Sequence, residues 1–486
     1  MTGQTQVSDA AARTYRKKRQ EFWDRIWSEG ITGRSGEYYS QRLRTVYRNL
    51  IPPGLRVLEL GSGSGDLLAS LAPSHGVGID FFEEAVSRAS SKHPHLEFLK
   101  ADAHDLDLDL DEQFDVVVIS ELVNDAWDVL GLLESVRSVC TPSTRVVLNF
   151  FNRLWQMPIG LARATGLAQP LLKQNWLSVV DIENLLRLAG FEVVSVRGEI
   201  LFPLQVPALT GLFNRFLVKL WPFSHLAMTH FVVARPDFRV LGSAVPPEAT
   251  VSVVVPARNE AGHIAEILDR LPQMGGSTEL IFVEGNSTDD TFEVIRREVD
   301  AIGDPKVRYF QQPGKGKGDA VRAGFAEANG DILMILDADM TVAPEELPRF
   351  FGALTSGAGE FINGVRLVYP MEDEAMQFLN YLGNKFFGVA FSWLLSQPVK
   401  DTLCGTKVLT REAYDTIVAN RSYFGDFDPF GDFDLLFGAA RLNLKITDLP
   451  IRYRQRRYGS TNIDRWRHGV LLLRMSAFAA RKLRFI

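Results

Sequence analysis

The sequence predicts two α/β domains joined by a short linker, and three observations support this architecture. First, a chain of 486 residues is too long for one hydrophobic core, because single cores stop growing near about 250–300 residues. Second, β-branched runs at 57–60 and 251–255 each enter a polar or glycine-rich turn and then a helical pattern, which is typical of a parallel sheet. Third, residues 240–250 are rich in small residues and contain a Pro-Pro pair. We therefore predict domains at 1–239 and 251–486 with a linker at 240–250.

The composition is that of an ordinary folded protein. The chain is 46% hydrophobic, 23% charged and 10% aromatic, which excludes fibrous and wholly disordered classes. Its two cysteines, Cys140 and Cys404, form no C-x-x-C pair, which fits a reducing compartment and argues against a structural zinc site. The opening segment is basic but has no apolar core of a signal peptide, and no apolar run reaches about 18 residues. We expect a cytoplasmic protein.

The charge is unevenly distributed along the chain. Residues 441–486 contain twelve Lys and Arg against two acids, a net charge of +10, whereas the whole chain carries −6. A basic tail on an acidic body predicts an anionic partner, such as phosphates, a membrane surface or nucleic acid. A solvated basic face is the alternative.

The first domain shows the alternation of strands and helices that predicts a doubly wound parallel sheet. Strands are predicted at 56–60, 76–79, 96–99, 115–119 and 145–150, with further edge strands near 191–196 and 230–234. Ligands bind such sheets outside the carboxyl ends of the strands, where Gly61, Gly63 and Gly65 fall. Asp80 and Asp102 end the second and third strands. These positions suit hydrogen bonds to ribose hydroxyls and to an adenine amino group, respectively.

Residues 59–65 read ELGSGSG, and Asp66 spoils the dinucleotide-binding fingerprint, which needs Gly or Ala at its sixth position. The segment instead resembles the E/D-x-G-x-G-x-G motif of class I S-adenosylmethionine-dependent methyltransferases. The resemblance covers roughly residues 40–235. It implies a Rossmann-like sheet that binds S-adenosylmethionine. The residues that match its cofactor-binding positions are Glu59, Gly61, Gly63, Gly65, Asp80 and Asp102.

The resemblance also implies a methyl acceptor near the end of the fourth strand. Asp125 or Glu121 is the candidate general base for a hydroxyl acceptor. Asp125 could instead cap the following helix. The whole domain could also bind cofactor without catalysing transfer. Aromatic and amide residues at 149–155 and 175–176 could line a sugar pocket, or serve as core and turn residues.

The second domain places polar residues at successive predicted strand ends. The strands are at 251–255, 280–283 and, apolar throughout, from 330 to the carboxylates at 337 and 339. A glycine–lysine loop at 313–319 precedes a helix at 320–328. The polar residues at this edge are Pro256, Asn259, Glu260, Asp289, Lys317, Asp337 and Asp339. Two carboxylates at one strand end can engage a hard divalent cation, which commonly shares its oxygen ligands with substrate phosphates.

Five ordered motifs at 250–468 resemble those of family-2 glycosyltransferases of the GT-A type, close to dolichyl- and polyprenyl-phosphate sugar synthases. They are PARNE at 256–260, EGNSTDDT at 284–291, DAD at 337–339, DTLCGTK at 401–407 and YRQRRYGSTN at 453–462. The resemblance implies that Pro256, Asn259, Glu260, Asp289, Lys317 and Asp337 bind a UDP- or GDP-sugar. It also implies that Asp339 holds Mg²⁺ or Mn²⁺.

The resemblance further implies inversion at the anomeric carbon by direct displacement. The metal would stabilise the leaving diphosphate, and Arg456 would contact its phosphates. Asp432 matches the family's base, although Gly431 replaces the acid that often precedes it. A lipid-phosphate acceptor, being already ionised, would need no strong base.

Two segments favour a lipid acceptor. Residues 375–395 form an unusually apolar helix interrupted by polar residues, and residues 464–486 predict a basic amphipathic helix. In the second helix Arg467, Arg474 and Arg481 share one face. Such a helix can lie on an anionic membrane surface, which predicts peripheral association with the inner face of the cell membrane. Packing against its own domain or a partner is the alternative.

The function that these patterns favour is a bifunctional enzyme of glycan or glycolipid biosynthesis. It would transfer a sugar to a polyprenyl-phosphate or glycan acceptor and methylate with its first domain. The alternative is a glycosyltransferase whose first domain is a noncatalytic binding or docking module. A nucleic-acid methyltransferase is disfavoured, because it leaves five motifs unexplained and because basic and aromatic residues do not interleave outside the tail. We expect no nucleic-acid partner.

Overall fold

The computed structural model describes residues 13–23, 25, 34–106, 113–165, 172–369, 378–421, 432–453 and 465–486. At 34–36, 378–382, 432 and 465–469 it describes the backbone alone. The chain forms two compact units, Met1–Leu241 together with Arg484–Ile486, and Gly242–Leu483.

The first unit alternates strands and helices along the chain. Its strands are β1 (Arg56–Leu60), β2 (His75–Asp80), β3 (Glu97–Lys100), β4 (Val116–Ser120), β5 (Arg145–Phe151), β6 (Phe191–Ile200) and β7 (Thr229–Pro236). Its helices are α1 (13–23), α2 (Arg34–Leu50), α3 (Asp66–Ser70), α4 (Glu83–Lys92), α5 (Leu122–Asp125), α6 (Val129–Ser138), α7 (Gln156–Ala164), α8 (Val179–Leu188), α9 (Leu209–Gly211) and α10 (Phe238–Leu241).

These seven strands form one sheet in the order β3-β2-β1-β4-β5-β7-β6. β7 runs antiparallel to both β5 and β6, and the remaining neighbours are parallel. Apart from their end residues β1 and β4 are continuously buried, as strands covered by helices on both faces should be. The predicted doubly wound sheet and both late strands are confirmed, but the sheet is mixed rather than parallel, and only β6 is an edge strand because β7 lies between β5 and β6.

The second unit repeats this architecture with different elements. Its strands are β8 (Val251–Ala257), β9 (Thr278–Glu284), β10 (Val307–Gln311), β11 (Ile332–Ile335), β12 (Phe361–Val365), β13 (Lys407–Thr410) and β14 (Ile446–Pro450). Its helices are α11 (Ile264–Arg270), α12 (Thr291–Ile302), α13 (Lys317–Glu327), α14 (Leu347–Thr355), α15 (Phe378–Leu395), α16 (Arg411–Ala419), α17 (Asp432–Arg441) and α18 (Arg465–Leu483).

The second sheet has the order β10-β9-β8-β11-β13-β12-β14, and β13 runs antiparallel to both of its neighbours. The carboxyl ends of β8, β9, β11 and β12 therefore meet the amino end of β13 at one edge. β11 ends at Ile335, so Asp337 and Asp339 lie in the loop beyond the strand rather than at its end.

The C-terminal helix α18 packs partly against α15. Leu472, Met475 and Ala479 are buried, whereas Val470 and Leu473 are exposed by 49% and 53%. Val470 and Leu473 are therefore open to solvent, and binding of this helix to a membrane stays a prediction. Among the residues that the structure describes, no helix combines the length and apolarity needed to cross a membrane.

Gly324 sets how closely α13 approaches the second sheet. A Cβ at this position would lie 2.3 Å from Val254 Cγ1 and 3.1 Å from Val283 Cγ2. Gly352 in α14 has open space around it. We expect Gly324→Ala to lower the free energy of unfolding by about 1–3 kcal/mol through overpacking. Gly352→Ala should raise it by about 0.5–1 kcal/mol through helix propensity.

Urea unfolding followed by circular dichroism measures both variants. Equal effects of the two substitutions would contradict the close packing of α13 on the sheet.

Candidate functional site

The turn after β1 contains three glycines in left-handed conformations. Gly61, Gly63 and Gly65 have φ of 72°, 52° and 72°. A Cβ on Gly65 would lie 2.5 Å from the Phe98 ring, so this position has no room for a side chain. Conformation and space both demand glycine here, and the bare backbone lets a ligand approach the turn closely.

Asp80 joins this glycine turn to the end of β2. Its carboxylate accepts hydrogen bonds from the Gly63 N–H at 2.8 Å and the Phe82 N–H at 3.0 Å. Asp80 is only 6% exposed. Burial raises its pKa, and the backbone N–H donors oppose that rise. The structure thus brings together two of the predicted cofactor-binding elements, and a cradle without side chains beside a carboxylate fits an adenosyl cofactor.

Glu59 has a different place from the one predicted. It is buried, and its carboxylate accepts a hydrogen bond from the Leu68 N–H at 3.0 Å, which ties β1 to α3. Burial raises the pKa of Glu59 to about 8. Glu59 therefore holds α3, the helix that follows the glycine turn, in place.

Asp102 follows β3 and is engaged by two basic partners. One carboxylate oxygen lies 3.0 Å from both the His104 N–H and the His104 Nδ1. The other lies 3.0 Å from Arg16 Nη1, a contact that sequence reasoning missed because α1 carries no motif. The hydrogen bond from His104 is the largest cause of a lowered pKa at Asp102. Its predicted contact with adenine would have to coexist with these partners.

The two candidate bases after β4 have different surroundings. Asp125 forms an ion pair with Arg19 at 2.9 Å and accepts a hydrogen bond from Trp23 Nε1 at 3.2 Å. Glu121 accepts a short hydrogen bond from the hydroxyl of Tyr39, and burial raises the pKa of Glu121 to about 7. A carboxyl that titrates near neutrality can exchange a proton with a substrate, so Glu121 is the better placed of the two.

The helix cap that Asp125 might have provided is supplied by Asp128, which accepts from the Gly131 N–H at the start of α6. Nearby amides are structural. Asn149 is buried and accepts from Tyr47, and Asn175 donates to the carbonyls of Val123 and Ala126. The amides of the suggested sugar pocket thus serve as core and turn residues.

In the second unit, Asn259 links the turns after β8 and β9. It has a left-handed conformation, with φ of 57°. Its N–H donates to Ser287 Oγ at 3.0 Å, and its side-chain oxygen accepts from the Thr288 N–H at 2.8 Å. Pro256 lies just upstream within β8. The first two motifs are therefore joined directly by hydrogen bonds.

Glu260 and Asp289 contribute to local structure at these turns. Glu260 is 5% exposed, and its carboxylate lies 3.0 Å from His263 Nδ1. Asp289 accepts from the Thr291 N–H at 3.1 Å at the beginning of α12. Both residues lie at the predicted edge, but Glu260 is oriented by His263, a partner that the sequence pattern did not indicate.

Lys317, Asp337 and Gly405 converge at the same edge. Lys317 Nζ lies 2.6 Å from Asp337 Oδ1, and their side chains are 27% and 25% exposed. A Cβ on Gly405 would lie 2.0 Å from Asp337 Oδ2 and 2.2 Å from Lys317 Nζ. The glycine–lysine loop, the D-x-D segment and the D-x-x-x-G-x-K segment therefore meet at one point, where only glycine fits.

Asp339 is the predicted metal ligand. One of its oxygens accepts from the Thr341 N–H at 3.2 Å and from the Thr341 hydroxyl at 2.6 Å, which orients the carboxylate. Outside the gaps in the described chain, no group of three or more His, Cys, Asp or Glu is placed to hold a metal ion. A carboxylate oxygen fits Mg²⁺ or Mn²⁺, which commonly take further ligands from water and substrate phosphates.

Asp401 and Lys407 of the fourth motif are structural. Arg366, which follows β12, donates to the two Asp401 oxygens at 2.7 and 2.9 Å. Burial acts to raise the pKa of Asp401, but the Arg366 guanidinium holds it below its usual range. Lys407 is fully buried and donates to Asn363 at 3.2 Å. These contacts fix the loop that carries Gly405.

Two predicted catalytic residues cannot be placed against this edge. Asp432 is the first residue of α17, but its side chain lies outside the described part of the chain. Arg456 and the rest of 454–464 also lie outside it.

Two family models match the chain. Residues 15–196 match the model described as a methyltransferase domain, and residues 252–418 match glycosyl transferase family 2. The chain thus resembles a methyltransferase domain over the first of these ranges and a family-2 glycosyltransferase over the second.

Curated relatives of the chain include several sugar transferases. One is glycosyltransferase AglJ of Haloferax volcanii, which is 29% identical over 47% of this chain and 71% of its own. Dolichyl-phosphate beta-glucosyltransferase ALG5C of Trichomonas vaginalis is 29% identical over 43% of this chain and 65% of its own. Undecaprenyl-phosphate 4-deoxy-4-formamido-L-arabinose transferase of Klebsiella pneumoniae is 32% identical over 23% of this chain. That alignment spans 36% of the relative's length.

Some solved structures resemble part of the chain. Glucosyl-3-phosphoglycerate synthase from Mycobacterium tuberculosis, in complex with Mn²⁺, UDP and its product, is 22% identical over 48% of this chain and 80% of its own, with a TM-score of 0.36. Magnesium protoporphyrin IX methyltransferase from Synechocystis, with bound SAH, is 16% identical over 47% of this chain and 99% of its own, with a TM-score of 0.32.

The raised pKa of Glu59 predicts a pH dependence of stability. The folded state holds this carboxyl protonated up to about pH 8, whereas the unfolded chain ionises it near pH 4.5. The stability that the neutral form contributes is therefore present below about pH 4.5 and is lost as the pH rises towards 8. Glu59→Gln keeps an acceptor for Leu68 and cannot ionise, so it should lose less stability over this range.

Urea unfolding of both proteins at several pH values between 5 and 8 measures the effect. Parallel pH profiles for the two proteins would contradict a neutral Glu59 in the folded state.

Proposed function

We propose that this chain is a bifunctional enzyme of glycan or glycolipid biosynthesis. Its second unit transfers a sugar from a UDP- or GDP-sugar to a polyprenyl-phosphate or glycan acceptor, and its first unit methylates with S-adenosylmethionine. The observation that carries the proposal is the meeting of Lys317, Asp337 and Gly405, because it joins the glycine–lysine loop to the third and fourth motifs at one edge of the sheet. The names of two relatives, a dolichyl-phosphate glucosyltransferase and an undecaprenyl-phosphate sugar transferase, support the lipid-phosphate acceptor.

The second unit has groups suited to donor binding. Asn259 and Asp289 lie at adjoining turns and would contact the nucleoside, together with Asp337 from the loop after β11 at the same edge. Lys317 brings a positive charge there, which favours a diphosphate. A divalent cation on Asp339 would supply Lewis-acid stabilisation of the leaving diphosphate. Arg456 would contact the phosphates of the leaving diphosphate.

The proposed displacement inverts the anomeric carbon. With a hydroxyl acceptor, Asp432 at the start of α17 would accept the proton as the acceptor oxygen bonds to the sugar. With a lipid phosphate, the ionised acceptor oxygen attacks without a base. A lipid-phosphate acceptor also places the enzyme peripherally at the inner face of the membrane.

The first unit has the parts of a methyl-transfer site. The glycine turn and Asp80 would hold the cofactor, whose sulfonium group supplies the methyl group. Glu121, with a pKa near 7, would accept the proton of a hydroxyl acceptor at the end of β4. Asp125, which is paired with Arg19, would position neighbouring residues rather than accept the proton.

The most informative experiment is a panel of nucleotide-sugars with Mn²⁺ or Mg²⁺, in which donor turnover is measured with and without polyprenyl phosphate. Turnover of one donor that rises with the lipid supports the proposal. Failure of every nucleotide-sugar to turn over would refute it.

Asp339→Asn should abolish metal-dependent donor turnover and leave the fold intact. The substitution removes one half-exposed carboxylate in a loop, and losing its charge can cost several kcal/mol of transition-state stabilisation, on the order of a thousandfold or more in rate. Sugar transfer is the measurement. Asp331→Asn is the matched control, because Asp331 precedes β11 at the opposite edge and bonds to Thr250. Near wild-type transfer by Asp339→Asn would exclude its metal role.

Asp80→Ala should weaken binding of S-adenosylmethionine by about 1.5–3 kcal/mol, the usual contribution of hydrogen bonds to a charged group. Calorimetry with the intact chain measures the affinity. Asp115→Ala is the control, because Asp115 pairs with Arg56 at the opposite edge of the sheet. If the wild-type chain binds no S-adenosylmethionine, the first unit is a docking module rather than a methyltransferase.

A further inference from the structure

We propose that the first unit carries its own membrane-docking patch. This patch binds an anionic lipid surface and brings a lipid-linked acceptor to the edge of the sheet that carries the glycine turn. This inference rests on the proposed methyl transfer to such an acceptor. The docking patch consists of exposed apolar side chains from 153–161 and from 204–226. Its members are Leu154, Met157, Leu161, Leu204, Val206, Leu209, Leu212, Phe216, Leu220, Trp221, Phe223 and Leu226.

The two segments of the docking patch are joined by hydrogen bonds. Asn152 Nδ2 donates to the carbonyls of His225 and Ala227, both at 3.0 Å. Trp155 Nε1 donates to the Leu226 carbonyl at 2.8 Å. The beginning of α7 therefore lies against the end of the second segment, and their apolar side chains belong to one region of the surface.

In the second segment the polar residues Asn214 and Lys219 are buried, whereas most of the large apolar residues are exposed. Asn214 is 2% exposed, and its side-chain oxygen accepts from the N–H groups of Leu201 and Phe202 at 2.8 and 2.7 Å. Lys219 is also buried and pairs with Glu199. Helical turns on a water-exposed surface normally show the reverse pattern. This inversion indicates a surface built to contact an apolar medium.

Three side chains of the docking patch are the most exposed of its members. Met157, Leu161 and Trp221 are exposed by 84%, 68% and 79%. Scattered exposed apolar residues are ordinary, but twelve of them on two segments joined by hydrogen bonds mark an interaction site.

The charge around the docking patch favours a lipid surface over a protein partner. No Asp or Glu occurs in 153–180 or in 201–236. Arg153, Lys173 and Arg215 are exposed within these stretches. Cations beside leucine, phenylalanine and tryptophan, without a single acid, are the features of segments that lie in the interface of an anionic membrane. Trp221 suits the boundary between headgroups and acyl chains, because its ring is apolar and carries one N–H donor.

The docking patch lies at the same edge of the sheet as the glycine turn. Its segments follow β5 and β6, and both strands run parallel to β1. An acceptor held in the lipid surface would therefore reach the unit at the edge where the cofactor binds. A soluble acceptor would need no such surface.

Vesicle binding by the full-length chain tests the docking patch. The probe is vesicles of equal parts phosphatidylcholine and phosphatidylglycerol, and sedimentation at low salt measures the bound fraction. We expect the triple variant Met157→Ser, Leu212→Ser, Trp221→Ser to lose more than about tenfold in partitioning, because three inserted side chains become polar. The control triple variant Leu188→Ser, Ile302→Ser, Val418→Ser replaces exposed apolar residues elsewhere and should bind like wild type.

The outcomes separate the docking patch from the proposed function. Calorimetry should give the same affinity for S-adenosylmethionine in the patch variant and in wild type. If neither protein binds the cofactor, the result counts against methyl transfer but not against the docking patch. Wild-type partitioning by the patch variant would overturn the docking patch. So would a wild-type dimer that becomes monomeric in the patch variant without lipid, since the surface would then join two copies of this chain.

Discussion

Parallel strands end along one edge of a sheet, and the candidate sites of both units depend on that constraint. In the first unit it places the glycine turn after β1 beside Asp80 after β2, so that the Gly63 N–H reaches the carboxylate at 2.8 Å. In the second unit the antiparallel β13 enters at the same edge and brings Gly405 against the pair of Lys317 and Asp337. Residues that are far apart in the sequence thus come together at the ends of neighbouring strands.

Much of this arrangement could be predicted from the sequence, because buried parallel strands read as continuous apolar runs and their ends carry polar or glycine-rich turns. The seven strands of the first unit were predictable to within a few residues, as were the glycine turn and the edge on which Asp337 and Asp339 lie. The partners of these residues were not predictable. Tyr39 beside Glu121, and Arg366 beside Asp401, lie on elements without a motif, and only packing brings them into contact.

Burial explains why some motif residues support the sites instead of facing a ligand. Glu59 holds α3 under the glycine turn, and the pair of Arg366 and Asp401 fixes the loop of Gly405. Removing one partner of such a pair would leave a charge buried without compensation. The segment 204–226 shows the complementary case, since Asn214 and Lys219 are bonded inside while most of its large apolar side chains remain exposed. The choice of which side chains are buried therefore determines both how each site is supported and how a substrate reaches it.

The central proposal is that one chain carries out both transfers on the same polyprenyl-phosphate acceptor. Mass spectrometry of polyprenyl phosphate after incubation with the full-length protein, its nucleotide-sugar, a divalent cation and S-adenosylmethionine tests it most directly. The account predicts a lipid product that has gained one sugar residue and one methyl group, with the methyl group absent when S-adenosylmethionine is omitted. A product that gains only the sugar, from a chain shown to bind the cofactor, would contradict it.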